Sequence, residues 1–193
     1  MLDATDGGLV LQVDSRARLT GSDFGGAVSL SSRLGGYDMN LLLMRHAKSS
    51  WDDASLDDHE RPLNHRGRND APRIARVILE NDIVPELILV SSSVRTQETV
   101  ELMQGLLGNV PVKIIKDLYH ASSTTILNVI HTQGSGADPL LVVGHNPGME
   151  TTLSNIVGHL VPFPTGALAH ATIQPGEASV IQGIWRPGEL PPE

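Results

Sequence analysis

The run Leu41-Leu42-Leu43-Met44-Arg45-His46 decides how the rest of the chain is interpreted. Its four apolar residues are continuous rather than alternating with polar ones, which is typical of a strand buried on both faces of a parallel sheet. The run ends in an arginine and a histidine, two side chains that can do chemistry. It therefore predicts a buried strand that carries Arg45 and His46 to the edge of a sheet.

Two later runs have the same form. Residues 87–90 lead into Ser91-Ser92-Ser93, with Arg95 shortly after, and residues 140–143 lead into Gly144-His145-Asn146-Pro147. The carboxyl ends of neighbouring parallel strands share one edge of an open α/β sheet, and ligands bind at that edge. We therefore expect two arginines and two histidines that are distant in sequence to meet at one site.

Helical periodicity fills the stretches between these strands. Behind a potential N-cap at Asn64, apolar residues recur at helical spacing up to Glu80, and Pro72 predicts that this helix either kinks there or begins close to it. Further helices are predicted over residues 95–107, 124–131 and 147–157, the last capped by Asn146, and further strands over 112–115, 168–173 and 179–185. The alternation predicts an α/β fold, a three-layer α/β/α sandwich around a mostly parallel sheet of about six strands.

The composition of the chain changes near Met39. Residues 1–38 contain three Gly-Gly pairs, scattered Ser and Thr and only short apolar runs, so they bury little. We expect them to be a disordered N-terminal tail or, alternatively, an extension upstream of a true start at Met39. Residues 39–187 are expected to form the catalytic domain, and the proline-rich residues 188–193 a C-terminal tail.

The chain of 193 residues has a formal net charge of −8, only 3% aromatic residues and no cysteine. Nucleic-acid binding needs a basic face and stacking aromatics, so that class of function is disfavoured. Without cysteine there is no disulfide, thiolate metal site or cysteine nucleophile. The acidic first residues and the lack of any run near the ~20 apolar residues that span a bilayer indicate neither a signal peptide nor a membrane segment. We expect a cytoplasmic protein with no membrane or nucleic-acid partner.

The expected cluster of arginines and histidines suits a phosphoryl group. Arg45 and Arg95 can present planar donor pairs to phosphoryl oxygens, and two of the strands run into helices whose N-terminal amides also favour an anion. No carboxylate is evident in the cluster, so a divalent metal would have little to hold it, and we expect neither a metal nor a cofactor. The acidic stretch 52–60 is interpreted as a solvated loop. Trp51 and Trp185 are predicted to pack in the core or at the rim of the site. Surface or packing roles are predicted for His59, His65, His131, His159 and His170.

As a set, these motifs resemble the histidine phosphatase superfamily, also called phosphoglycerate mutase-like. The marks are Arg45-His46, the Ser-x-x-Arg-x-x-x-Thr pattern from Ser92 to Thr99, and Gly144-His145. Three further runs are similar to its small phosphohistidine phosphatase branch, the SixA type: Met44-Arg45-His46-Ala47-Lys48-Ser49-Ser50-Trp51, Arg61-Pro62-Leu63 followed by Arg66-Gly67, and Leu118-Tyr119-His120-Ala121. Ala47 stands where much of the superfamily has glycine.

The resemblance implies a role for each matching residue. His46 would be the nucleophile that takes the phosphoryl group, while Arg45, Arg95 and His145 would bind and neutralise that group. Arg61 would reach the same pocket, and Asn146 would contact the substrate. Fixed cations suit phosphoryl transfer, because charge develops on the equatorial oxygens, and cations beside His46 would keep its imidazole neutral. Water would then attack the phosphoenzyme.

The general acid is the part of the mechanism that the sequence does not identify. Asp117, Glu98 and the pair Asp57-Asp58 are candidates, although each is more simply a solvated or capping residue. A phosphoimidazole that carries a proton leaves as a neutral base, whereas an alkyl phosphate needs its leaving oxygen protonated. Residues 108–139 are too few for a sizeable lid, so a protein-borne phosphohistidine could enter the site.

We therefore expect a metal-independent phosphatase that dephosphorylates phosphohistidine on a signalling or phosphotransfer protein, such as a histidine phosphotransfer domain. Two alternatives stay open at this point. One is a small-molecule phosphomonoesterase of the same superfamily, and the other is a non-catalytic phosphate-binding module. The intact set Arg45, His46, Arg95 and His145 speaks against the binding module.

Overall fold

The computed structural model describes residues 38–134, 136–173 and 179–192, so the tail predicted for residues 1–38 lies almost wholly outside the described residues. Six described strands form one sheet in the order β3-β2-β4-β1-β5-β6. They are β1 Met39–Arg45, β2 Leu87–Ser91, β3 Val112–Ile115, β4 Leu140–Gly144, β5 Leu168–Ile173 and β6 Val180–Trp185. The first four in this order pair in parallel, and β5 and β6 pair antiparallel. The prediction of a mostly parallel sheet of six strands is confirmed.

Helices cover both faces of the sheet. The four described α-helices are α1 His65–Glu80, α2 Val94–Leu107, α3 Ser123–Gln133 and α4 Gly148–Val157. Successive residues of a strand face opposite sides, so Leu42 and Met44 of β1 pack with α1 and α2 while Leu41 and Leu43 pack with α3 and α4. This arrangement is the predicted three-layer sandwich. None of the described helices is both long enough and apolar enough to cross a membrane.

Helix α1 continues through Pro72, so of the two predicted alternatives, a kink at that proline or a start close to it, the start is wrong. Its N-terminus is fixed earlier by Asn64, whose side chain accepts a hydrogen bond of 2.9 Å from the Gly67 amide. An interior proline costs a helix about 3 kcal/mol. Burial of Ile74 and Ile78, both fully inaccessible, stabilises the fold by roughly 1.5–3 kcal/mol each, which offsets that cost.

The start of α4 also differs from the prediction. Pro147, not Asn146, occupies the N-cap position, and no side chain caps the helix there. The Asn146 amide instead donates to the Phe163 carbonyl at 2.9 Å and to Glu150 Oε2 at 3.2 Å. The Asn146 side chain is therefore oriented toward the segment before β5. Its predicted capping role is wrong because its amide donates to those two acceptors instead.

The end of the described chain is fastened to α1. Residues Pro187–Glu189 form a short 3-10 turn. The Arg73 guanidinium donates to the carbonyls of Pro187, Leu190 and Pro191 at 2.8–3.2 Å. The predicted C-terminal tail is thus tied down as far as Pro191.

Candidate active site

The three strands that end in polar clusters lie side by side in the middle of the sheet, in the order β2-β4-β1. Arg45 is the last residue of β1 and His46 follows it, His145 follows β4, and Arg95 lies in the first turn of α2 just after β2. The rings of His46 and His145 are 5.0 Å apart between centroids. One Arg95 nitrogen, Nη2, lies 3.4 Å from His145 Nδ1. The structure therefore brings the four predicted residues together.

A cavity of about 300 Å³ opens between these side chains. All of the site residues predicted from the sequence line it, namely Arg45, His46, Arg61, Arg95, His145 and Asn146. Lys48, Trp51 and His120 line it as well. The cavity is thus cationic and aromatic, which suits a phosphoryl group attached to a larger body.

His46 is held as a neutral imidazole with a defined tautomer. Its Nδ1 lies 2.7 Å from the Ala47 carbonyl oxygen, which can only accept, so Nδ1 carries the proton and Nε2 keeps its lone pair. Burial lowers the pKa of His46 to about 4, the Ala47 hydrogen bond opposes this shift, and Arg95, Arg45 and Arg61 lower the pKa further. The arginines act as expected from the sequence, but burial is the larger cause.

His145 is also neutral, and both of its ring nitrogens are engaged. An arginine can only donate, so Nδ1 accepts from Arg95 and Nε2 donates to Ser91 Oγ at 2.8 Å. Burial is the main cause that lowers the pKa of His145 to about 2, with His46 and Arg95 next. The contact with Arg95 therefore fixes the tautomer of this ring, and the fully buried Ser91, which was not singled out from the sequence, accepts the Nε2 proton.

Arg45 keeps unused hydrogen-bonding capacity. Its Nη1 donates to the Phe163 carbonyl at 3.1 Å, while its buried Nε has no hydrogen-bond partner among the described residues. Burial lowers the pKa of Arg45, and Glu150 opposes the shift. Buried donors are rarely left unpaired, so this guanidinium is poised to accommodate an anion.

Asp58 is the main residue whose role the sequence interpretation missed, because it was named there, with Asp57, only as a candidate for the general acid. Its Oδ2 lies 2.8 Å from Arg95 Nη2, 2.8 Å from the Tyr119 hydroxyl and 3.2 Å from His120 Nε2, and its Oδ1 lies 2.9 Å from Arg61 Nη1. Arg95 Nη1 also donates to the Asp58 carbonyl. Burial raises the pKa of Asp58, but these hydrogen bonds outweigh it and hold that pKa well below its ordinary value. The expectation of a cluster without a carboxylate is wrong, and this carboxylate stays ionised.

Arg61 lines the cavity, but its donors are engaged by the protein. Nε donates to the Ser50 carbonyl and Nη2 to Ser49 Oγ, both at 2.9 Å, in addition to the bond with Asp58. The guanidinium stacks on Trp51, with Cζ 3.1 Å from the ring centroid. Trp51 itself is 72% exposed, so of the two predicted placements, core or rim, the structure shows the rim.

Two other acid candidates lie outside the cavity. Glu98 accepts from the Leu63 amide at 2.6 Å and pairs with Arg68. Asp117 is exposed on the short 3-10 turn Lys116–Leu118. The threonine of the second motif, Thr99, links two segments, because its hydroxyl accepts from the Ala47 amide and donates to the Arg95 carbonyl. Glu98 and Thr99 therefore have structural roles.

The remaining histidines differ in environment. His59 bonds to Ser92 Oγ and Glu60, and His170 on β5 is buried against Asn40. The exposed ones are His65, His131 and His159. Within the described ranges, no group of three or more His, Asp or Glu side chains could hold a metal ion.

His120 is the second residue that the sequence interpretation left without a role. Its ring stacks on that of His145, with centroids 5.3 Å apart and planes 30° apart. Its φ of 49° lies in the left-handed region, which is rare for a residue other than glycine. The only sequence signal was its position inside the run Leu118-Tyr119-His120-Ala121.

Comparisons with known proteins agree with this geometry. The family model for the histidine phosphatase superfamily (branch 1) matches residues 41–122. An uncharacterized chloroplastic protein of Arabidopsis thaliana is 32% identical over 154 residues, which is 75% of this chain and 68% of that one. An uncharacterized protein of Mycobacterium tuberculosis is 30% identical over 156 residues, 72% of this chain and 96% of that one. A crystal structure assigned as the phosphohistidine phosphatase SixA of Agrobacterium tumefaciens has a TM-score of 0.69 and 28% identity, and covers 77% of this chain and 97% of that one.

Proposed function

The chain belongs to the histidine phosphatase superfamily, in its SixA-type branch, and from that premise we propose that it removes phosphoryl groups from phosphohistidine on a signalling or phosphotransfer protein. The reaction proceeds through a covalent phosphohistidine on His46 and needs no metal. The protein acts in the cytoplasm. Support for this proposal comes from the electrostatics of the nucleophile, the cations around it and the shape of the cavity mouth.

The state of His46 is the observation that carries the proposal. A nucleophilic imidazole must be neutral and must have a lone pair aimed away from its own hydrogen bonds. Burial keeps His46 neutral at physiological pH, and the Ala47 carbonyl fixes the proton on Nδ1. Nε2 is therefore free to attack phosphorus, and no separate base is needed to activate it.

The arginines supply the charge that phosphoryl transfer requires. The transition state is loose and spreads negative charge over three equatorial oxygens, so fixed cations are the main source of rate acceleration. Arg45 has an unpaired Nε, and Arg95 is fixed at the cavity wall by Asp58. Arg61, each of whose three nitrogens already donates to the protein, contributes mainly its charge.

The mouth of the cavity supports a protein substrate. The described part of residues 108–139 is occupied by β3, the 3-10 turn and α3, so none of it forms a lid. Trp51 stands exposed at the rim, where it can contact the surface around a phosphorylated side chain. Asp58, which hydrogen-bonds to the cavity residues Arg61, Arg95 and His120, stays ionised and cannot protonate an alkoxide, whereas a protonated phosphoimidazole departs as a neutral base.

The test is to trap the phosphoenzyme. Protein incubated with para-nitrophenyl phosphate or with a phosphohistidine protein is quenched in alkaline denaturant, because phosphohistidine is acid-labile and base-stable, and the modified residue is mapped by mass spectrometry. We expect phosphate on His46, no phosphate on the His46→Ala variant, and normal labelling of a His131→Ala control. Adding EDTA should not change turnover.

The outcomes separate the candidate functions. Phosphate that persists on His46→Ala would refute the nucleophile assignment, and strong inhibition by EDTA would overturn the metal-free mechanism. Faster turnover of sugar phosphates than of a phosphohistidine protein would favour a small-molecule phosphomonoesterase. If the protein binds phosphate but hydrolyses no phosphoryl donor, it is a non-catalytic phosphate-binding module.

A further inference from the structure

The second half of the reaction needs a group that the residues assigned so far do not provide. Water must attack phosphorus on the phosphorylated His46, and its proton needs an acceptor. Among the described residues at the cavity, His145 already uses both nitrogens, and Asp58 accepts from four side-chain donors. Apart from His46, His145 and His120, the ionisable residues among those described that line the cavity are the cations Arg45, Lys48, Arg61 and Arg95.

Building on the proposed function, we propose that His120 is a catalytic residue, the general base that takes the proton from the water attacking the phosphoenzyme. Its Nε2 lies 3.2 Å from Asp58 Oδ2, and its ring stacks on His145 beside His46. It lines the same cavity as the nucleophile. Nothing in the sequence motif assigned this histidine a role.

The contact with Asp58 sets the tautomer that a base needs. An ionised carboxylate only accepts, so the proton of a neutral His120 ring resides on Nε2 and the lone pair on Nδ1. No described residue hydrogen-bonds to Nδ1. Asp58 therefore orients His120 as a carboxylate orients the histidine of a catalytic triad.

The proton balance of the step is complete. The water oxygen forms a bond to phosphorus while the bond between phosphorus and His46 Nε2 breaks, and its electron pair returns to Nε2. The proton of the water passes to His120 Nδ1. The His120 side chain is 53% exposed, so the proton then leaves to solvent and phosphate departs.

The turn that contains His120 sets where its ring lies. The Ala121 amide donates to the Leu118 carbonyl at 3.5 Å, and His120 takes the left-handed φ of 49° inside this turn. This conformation goes with an imidazole that lines the cavity. Asparagine tolerates this φ better than most residues, so His120→Asn removes the base with little effect on the backbone.

The experiment is rapid-quench kinetics with para-nitrophenyl phosphate, whose leaving group departs without protonation. In His120→Asn we expect formation of phospho-His46 to stay within about twofold of wild type and its hydrolysis to slow roughly a hundredfold. The phosphoenzyme should therefore accumulate. His59→Asn is the matched control, since His59 also packs against Tyr119 but does not line the cavity, and it should behave as wild type.

A second variant tests the same step by rescue. His120→Gly suits the left-handed backbone and leaves space for a free imidazole, so added imidazole should restore phosphoenzyme hydrolysis. Equal slowing of formation and hydrolysis in His120→Asn, or hydrolysis at the wild-type rate, would overturn the role of His120 while leaving the proposed function intact. A wild-type protein that forms no phospho-His46 would overturn both.

Discussion

At the scale of single residues, the chemistry depends on burial more than on charge. His46 is 7% exposed, and the loss of hydration is the largest cause of its low pKa. An imidazole on the surface would be partly protonated near neutral pH and would compete poorly as a nucleophile. Burial at the edge of the sheet thus keeps the His46 imidazole neutral and nucleophilic. The nearby arginines lower its pKa further, by a smaller amount.

A pH titration tests this account of His46. Its pKa of about 4 lies below the ordinary 6.5, so the ring should stay neutral throughout the range from about pH 5 to 8. Proton NMR of the histidine rings should show no titration step in that range for the resonance that disappears in His46→Ala. A step for His46 near its ordinary pKa would contradict the dominance of burial.

The nucleophile, the arginines and His145 could be predicted because each sits in a local motif at a strand end. The role of Asp58 could not, since two of its partners, Arg95 and Tyr119, are 37 and 61 residues away and its own surroundings in the sequence look like a solvated acidic loop. A run of charged residues in a sequence does not show which of their side chains contacts the rest of the protein. Only the tertiary fold shows that Asp58 fixes Arg95 and orients His120.

At the scale of elements, helix α1 approaches the nucleophile segment so closely that only glycine fits. A Cβ at Gly67 would overlap the carbonyl and amide of Lys48, which are backbone atoms that cannot move aside independently. The neighbouring Asn64 amide also donates to that Lys48 carbonyl at 2.9 Å. The spacing between α1 and residues 46–49 therefore depends on this one position.

Gly67→Ala should lower both stability and activity. Alanine favours a helix by about 1 kcal/mol over glycine, but the clash with backbone should outweigh that gain and destabilise the protein by about 1–3 kcal/mol. Turnover of para-nitrophenyl phosphate should fall, because the segment that carries His46 shifts. Urea unfolding and steady-state kinetics measure the two effects.

Gly105→Ala is the matched control for the substitution at Gly67. Gly105 is also inside a helix, α2, and a Cβ there meets nothing within 4 Å. The variant should be as stable as wild type or slightly more so, and fully active. A Gly67→Ala protein as stable as Gly105→Ala would show that the close approach of α1 does not matter.

The helices and strands could be predicted from local sequence patterns, and the errors in the prediction concern the ends of helices. Continuous apolar runs located the buried strands, and Gly108 with φ of 79° ends α2 as predicted. The role of Asn146 was misjudged because its acceptors include the Phe163 carbonyl, which is 17 residues away. The alternative of a helix start close to Pro72 was wrong because local propensity does not include the buried surface of the helix around it.

At the scale of the whole molecule, the site is open and has an aromatic rim. If the substrate is a protein, Trp51 should contact it, and Trp51→Ala should lower kcat/KM for a phosphohistidine protein roughly tenfold more than kcat/KM for para-nitrophenyl phosphate. Leu79→Ala, which removes an exposed apolar side chain on α1, should leave the ratio of the two values unchanged. Equal losses of kcat/KM for both substrates would mean that Trp51 contributes to the cavity but not to recognition of the protein that carries the phosphohistidine.

The single carboxylate of Asp58 joins side chains from separate parts of the chain, since Arg61, Arg95, Tyr119 and His120 all donate to it. Residues that share one partner do not contribute independently, so these four form a single thermodynamic unit. Once one member is lost, the loss of another costs less than it would alone. Sequence drift at this site is therefore epistatic, and relatives that differ here should differ at several of these positions together.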